Sequence, residues 1–87
     1  MRTHEIRDLR KVNGIVFEIY GMSARVIRYG APYGKYIDEE ILGDDVHLLN
    51  CIRPEEKGES VSIETLVQRA AEEICPGVEC VYYEIMS

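Results

Sequence analysis

Ser62-Ile-Glu-Thr-Leu-Val-Gln-Arg-Ala-Ala-Glu-Glu-Ile-Cys-Pro-Gly77 is the stretch from which the fold is read. Ile63, Leu66, Val67, Ala70, Ala71 and Ile74 recur at helical spacing and make one apolar stripe, which predicts a helix over 62–75. Ser62 or Ser60 can accept from the unpaired amides of the first turn, and Glu64 favours the positive end of the helix. Pro76 disfavours helical geometry at Cys75, and Gly77 tolerates the left-handed turn that follows a helix.

Working outward, the runs on either side are strand-like. Val46 to Arg53 is rich in branched and apolar residues, and Val78 to Met86 contains Val81, Tyr82, Tyr83 and Ile85. Strand, helix, strand is the succession of a β-α-β crossover, whose hand is expected to be right. Further upstream, Gly14 to Tyr20 puts Ile15, Phe17 and Ile19 on one face and Glu18 on the other. Ala24 to Tyr29 is its expected partner, joined through Gly21-Met22-Ser23. Two stretches are ambiguous. Residues 3–12 place Ile6, Leu9 and Val12 three apart before Asn13-Gly14, which suits a short helix with a glycine stop or a strand feeding the hairpin. Residues 36–43 suit a helical turn with Ile37, Ile41 and Leu42 inward, and 53–60 read as a polar loop. The expected class is α+β: one domain over 1–87, with a small mixed sheet of about four strands (hairpin plus β-α-β crossover) packed on one main helix.

One helix covers one face of such a sheet. The other face would carry Val16, Tyr20, Ile27, Tyr29 and Tyr82, too apolar to stay wet as a contiguous patch. Either the N-terminal segment or a second copy must cover it, and a self-complementary homo-oligomer is the favoured expectation.

Charge is spread unevenly. Residues 1–35 hold seven basic side chains against three carboxylates, whereas 36–87 hold three against thirteen. The basic set Arg2, Arg7, Arg10, Lys11, Arg25 and Arg28 suits an acidic protein surface, its own or that of another copy. The net charge of −6 disfavours nucleic acid and anionic membranes as partners. There is no apolar run of membrane-span length and no signal-peptide pattern, so a cytoplasmic location is expected. Cys51, Cys75 and Cys80 are an odd set, which suits reduced thiols.

Among residues that carry chemistry, Asp38, Glu39, Glu40, Asp44 and Asp45 put five carboxylates within eight residues, an oxygen-rich cluster suited to a hard divalent cation. The spacing differs from the calcium-wrapping loop, and the competing interpretation is a solvated acidic face. Tyr29-Gly-Ala-Pro-Tyr-Gly-Lys-Tyr36 offers glycine amides and a lysine to an anion but has the wrong spacing for a phosphate loop. Cys51, Cys75, Cys80 and His47 supply soft ligands without the paired knuckles of a zinc site. His47 and Cys51, four apart on an expected strand, would stand about 13 Å apart, too far for a nucleophile pair. No catalytic motif is present, no cofactor is implied and no motif names a family. The sequence therefore points to a small non-enzymatic interaction module, self-associating through Tyr20, Tyr29, Tyr82, Arg7, Arg10, Arg25 and Arg28. The alternative is a divalent-cation-binding protein using the cluster at 38–45.

Overall fold

Alternating apolar residues start the sheet. In the computed structural model, which describes residues 12–30 and 37–86, strand β1 (Gly14–Tyr20) turns through Gly21 and Met22 into β2 (Ser23–Gly30). Gly21 holds a φ of 65° while Met22 stays out of the left-handed region, as a two-residue hairpin turn with glycine in its first position requires. The antiparallel register runs from Gly14 opposite Tyr29 to Tyr20 opposite Ser23.

Strand β3 (Ile37–His47) then pairs antiparallel with β2. This corrects the helical turn expected at 36–43: Ile27 pairs with Ile41 and Arg28 with Glu40. The register slips at three places, and Asp45 takes a φ of 57°. These are the marks of a bulged strand, bent by extra residues. The strand expected at 46–53 is also corrected. β3 ends at His47, and two 3-10 turns follow, Leu48–Cys51 and Pro54–Glu56. Leu48 is fully buried and its N–H donates to the carbonyl of Met22 at 2.8 Å, which anchors the first turn to the hairpin.

Helix α1 (Ile63–Ile74) falls where its periodicity predicts. Ser62 Oγ accepts from the Thr65 amide at 3.2 Å, the expected cap. At the other end Cys75-Pro76-Gly77-Val78 forms a turn with proline second and glycine third. The Val78 N–H meets the Cys75 carbonyl at 3.3 Å and Gly77 has a φ of 82°. That turn returns the chain to β4 (Cys80–Ile85), which lies parallel to β1. The sheet order is β3-β2-β1-β4, so the connection through α1 is a crossover and the mixed α+β architecture is as expected.

The core lies between α1 and one face of the sheet. Ile15, Phe17, Ile19, Ala24 and Val26 meet Leu48, Leu66, Val67, Ala70 and Ala71 there, and Tyr83 and Val81 pack at its margin. A second, smaller cluster forms on the far face, with Val16, Ile27 and Tyr29 buried and Tyr82 and Cys80 packed against them. No helix among the described residues is long and apolar enough to cross a membrane.

Candidate interaction surface

The far face is the first test of the expected interface. Val16, Ile27 and Tyr29 are 2%, 4% and 5% exposed within a single copy of the chain, so the centre of that face is not bare. Tyr82 is half-buried beside them. Tyr20 is the exception at 51%, at the end of β1. A second copy is therefore not needed to dry the middle of this face, and the physical reason given for self-pairing there does not hold.

The basic residues divide. Arg7, Arg10, Arg2 and Lys11 lie outside the described residues, as do residues 3–11 and most of the tyrosine loop. Arg25 stays on the far face, 3.9 Å from Glu18, its cross-strand partner. Such a partly exposed pair contributes at most about 1 kcal/mol. Arg28 instead pairs with Ile15 in register and so shares the helix-side face. Its Nη1 donates to Cys75 Sγ at 3.7 Å, at the C-terminal end of α1, where a cation offsets the helix dipole. Its Nε lies 3.3 Å from Glu40 Oε2 but makes no hydrogen bond.

The acidic run is drawn out along β3. From Glu40 to Val46 the bulged strand runs opposite Arg28 to Ala24, four steps of β2 or about 13 Å, still too long for one ion to gather its carboxylates. Glu40 is engaged with Arg28, and the Asp38 side chain lies outside the described ones. Among the described residues no three of His, Cys, Asp and Glu come together as metal ligands, neither here nor around the cysteines. The carboxylates instead guard an exposed strand: β3 is one edge of the sheet, and charge and bulges both discourage another strand from pairing with it.

Because Leu48–Cys51 is a 3-10 turn, His47 and Cys51 are nearer than a strand would hold them. Both line a shallow groove of about 330 Å³ with Asp45, Val46, Asn50, Ala70, Glu73 and Ile74. Burial, followed by the Glu73 carboxylate, pushes the Cys51 thiol above its ordinary value against the pull of Arg69. A thiol held protonated is a poor nucleophile. His47 Nδ1 lies 3.4 Å from Ser23 Oγ.

Beside the groove, Arg69 forms the tightest polar cluster described. Its two terminal nitrogens donate to Glu56 Oε1 at 2.7 Å and Oε2 at 2.9 Å, and Nη1 also reaches the Cys51 carbonyl at 2.9 Å. The Arg53 N–H donates to Glu56 Oε1 at 2.9 Å. Hydrogen bonding from Arg69, then from the Arg53 backbone, lowers the Glu56 carboxyl from 4.5 to about 2. This cluster straps both 3-10 turns to α1.

The opposite edge of the sheet is of another kind. β4 reads Cys-Val-Tyr-Tyr-Glu-Ile, with one charge and an unbroken register from Gly14–Cys80 to Ile19–Ile85. Cys80 N–H donates to the Asn13 carbonyl at 3.3 Å, and Met86 N–H to that of Ile19 at 2.9 Å. A parallel ladder alternates, so Val81, Tyr83 and Ile85 turn their backbone N–H and C=O groups away from β1, to the open side. Around the end of this strand Ile85 is 62% exposed, Met86 42% and the neighbouring Tyr20 51%. Sequence reasoning named Tyr20 and Tyr82 but passed over Ile85 and Met86. Their signal was the low charge of the run Val78 to Met86, which becomes telling once the sheet order makes it an edge. No family model matches the chain, and searches of the curated proteins and of the solved structures gave no significant match.

Proposed function

We propose that this protein is a small interaction module without catalytic activity that associates with copies of itself. The observation that carries this reading is the apolar end of the sheet, where Tyr20, Ile85 and Met86 stand exposed beside an edge strand bearing one charge. Exposed apolar side chains at one end of a sheet, here Ile85 on its helix side and Tyr20 and Met86 on its far side, favour contact with another surface. Contact at that end replaces contact at the middle of the far face, which is already dry. It is supported by the contrast between a guarded edge, β3, and an unguarded one, β4. A non-catalytic role is supported by the raised thiol of Cys51, which shares its groove with His47. A cytoplasmic setting belongs to the same proposal, resting on free Cys51, Cys75 and Cys80.

Sedimentation of the full chain at micromolar concentration, in low and high salt, tests the reading. Each copy carries a net charge of −6, so two copies repel, and added salt relaxes that repulsion. A dimer that persists or tightens as salt rises is the expected result. A dimer that dissociates in salt would instead point to pairing between the basic first third and the acidic remainder. A monomer at every salt and at hundred-micromolar protein would overturn self-association.

A further inference from the structure

Resting on the proposal of self-association, we infer that two copies join by pairing their β4 strands antiparallel about a two-fold axis through Tyr83, giving one continuous eight-stranded sheet. Of the two edges, β3 is unsuited to this. It is acidic, slips register three times and holds Asp45 in the left-handed region. β4 keeps one register, and among the described residues no strand pairs with the outward backbone groups of Val81, Tyr83 and Ile85.

Those three residues fix the register. With Tyr83 opposite Tyr83 of the second copy, Val81 falls opposite Ile85 and Ile85 opposite Val81. Every outward amide and carbonyl then finds a partner, because hydrogen-bonded pairs recur every second residue along an antiparallel ladder. Sliding by one pair in one direction puts Glu84 opposite Glu84, two like charges directly across a ladder. Sliding the other way puts Ile85 opposite Glu79, whose N–H is already committed to the Asn13 carbonyl at 2.8 Å. In the Tyr83-centred register Glu84 instead faces Tyr82, and Cys80 faces Met86. The exposed Ile85 is covered by Val81 on the helix side of the sheet, and Met86 by Cys80 on the far side. Strand addition of this kind takes its affinity from the main chain and its register from alternate side chains.

The register offers a direct test. Cys80 and residue 86 of the second copy form a non-hydrogen-bonded pair with Cα atoms about 4.5 Å apart, within the reach of a disulfide. Met86→Cys, oxidised with diamide as the two-electron acceptor, is expected to give a covalent dimer on a non-reducing gel. The dimer should disappear when Cys80→Ser is added. A cross-link that survives Cys80→Ser, or none at all in a chain that sediments as a dimer, overturns this interface while leaving self-association standing. Ile85→Pro removes an outward N–H without touching the bonds to β1 and should weaken the dimer at least about tenfold. Its monomer should melt near the parent temperature. An unchanged dissociation constant with Ile85→Pro also overturns the interface. A parent chain that is monomeric throughout overturns the proposal beneath it.

Discussion

Glu56 shows how much one carboxylate can organise. It receives two nitrogens of Arg69 and the amide of Arg53, so a residue of α1 holds a loop that has no sheet or long helix of its own. Because its carboxyl is lowered from 4.5 to about 2, the sign of its contribution is fixed. The native state holds the ionised form, so the stabilisation is complete above pH 4.5 and is lost as pH falls toward 2. Urea midpoints taken between those two pH values should therefore fall for the parent chain. Glu56→Gln should flatten that acid limb and lower the midpoint at neutral pH. Equal acid sensitivity in both proteins would mean that other carboxylates set it. Phe17 makes the complementary apolar case. It is fully buried between sheet and helix, and Phe17→Ala should destabilise the chain by about 3–5 kcal/mol in equilibrium unfolding. An effect below about 1 kcal/mol would mean that the site collapses around the loss.

At the level of elements, α1 is held by its stripe and by its ends. Ser62→Ala removes the oxygen that accepts from the Thr65 amide and should lower stability by about 1 kcal/mol, read as a shift in thermal midpoint. No shift would mean that Ser60 or water replaces the cap. This helix, the hairpin and the final strand were legible in the sequence because each carries its own period: 3.6 residues over Ile63 to Ile74, and two residues over Ile15 to Ile19. The stretch 37–53 was not. Asp38, Glu39, Glu40, Gly43, Asp44 and Asp45 are poor strand formers, and pairing with β2 overrides their preference. Conversely, Val46 to Arg53 is apolar enough for a strand, yet Leu48 to Cys51 coil into a 3-10 turn so that Leu48 can enter the core. A short apolar run does not declare its own geometry. The candidate surface was half legible. Tyr20 was named, but the importance of Ile85 and Met86 depends on sheet order, a property of pairing that no single segment encodes.

For the molecule as a whole, the sheet order has a consequence in time. Asn13 and Glu79, hydrogen-bonded at 3.4 Å across the start of β1 and β4, stand 66 positions apart in the chain. The meander β1-β2-β3 pairs neighbours and can zip up as it emerges from the ribosome, whereas β4 must wait for the crossover helix. Throughout that wait the backbone edge of β1 that β4 will take lies unzipped, along a strand whose Ile15, Phe17 and Ile19 end buried in the core. A nascent chain paused before Cys80 thus keeps an open row of backbone groups along β1, which the six residues Cys80–Ile85 close.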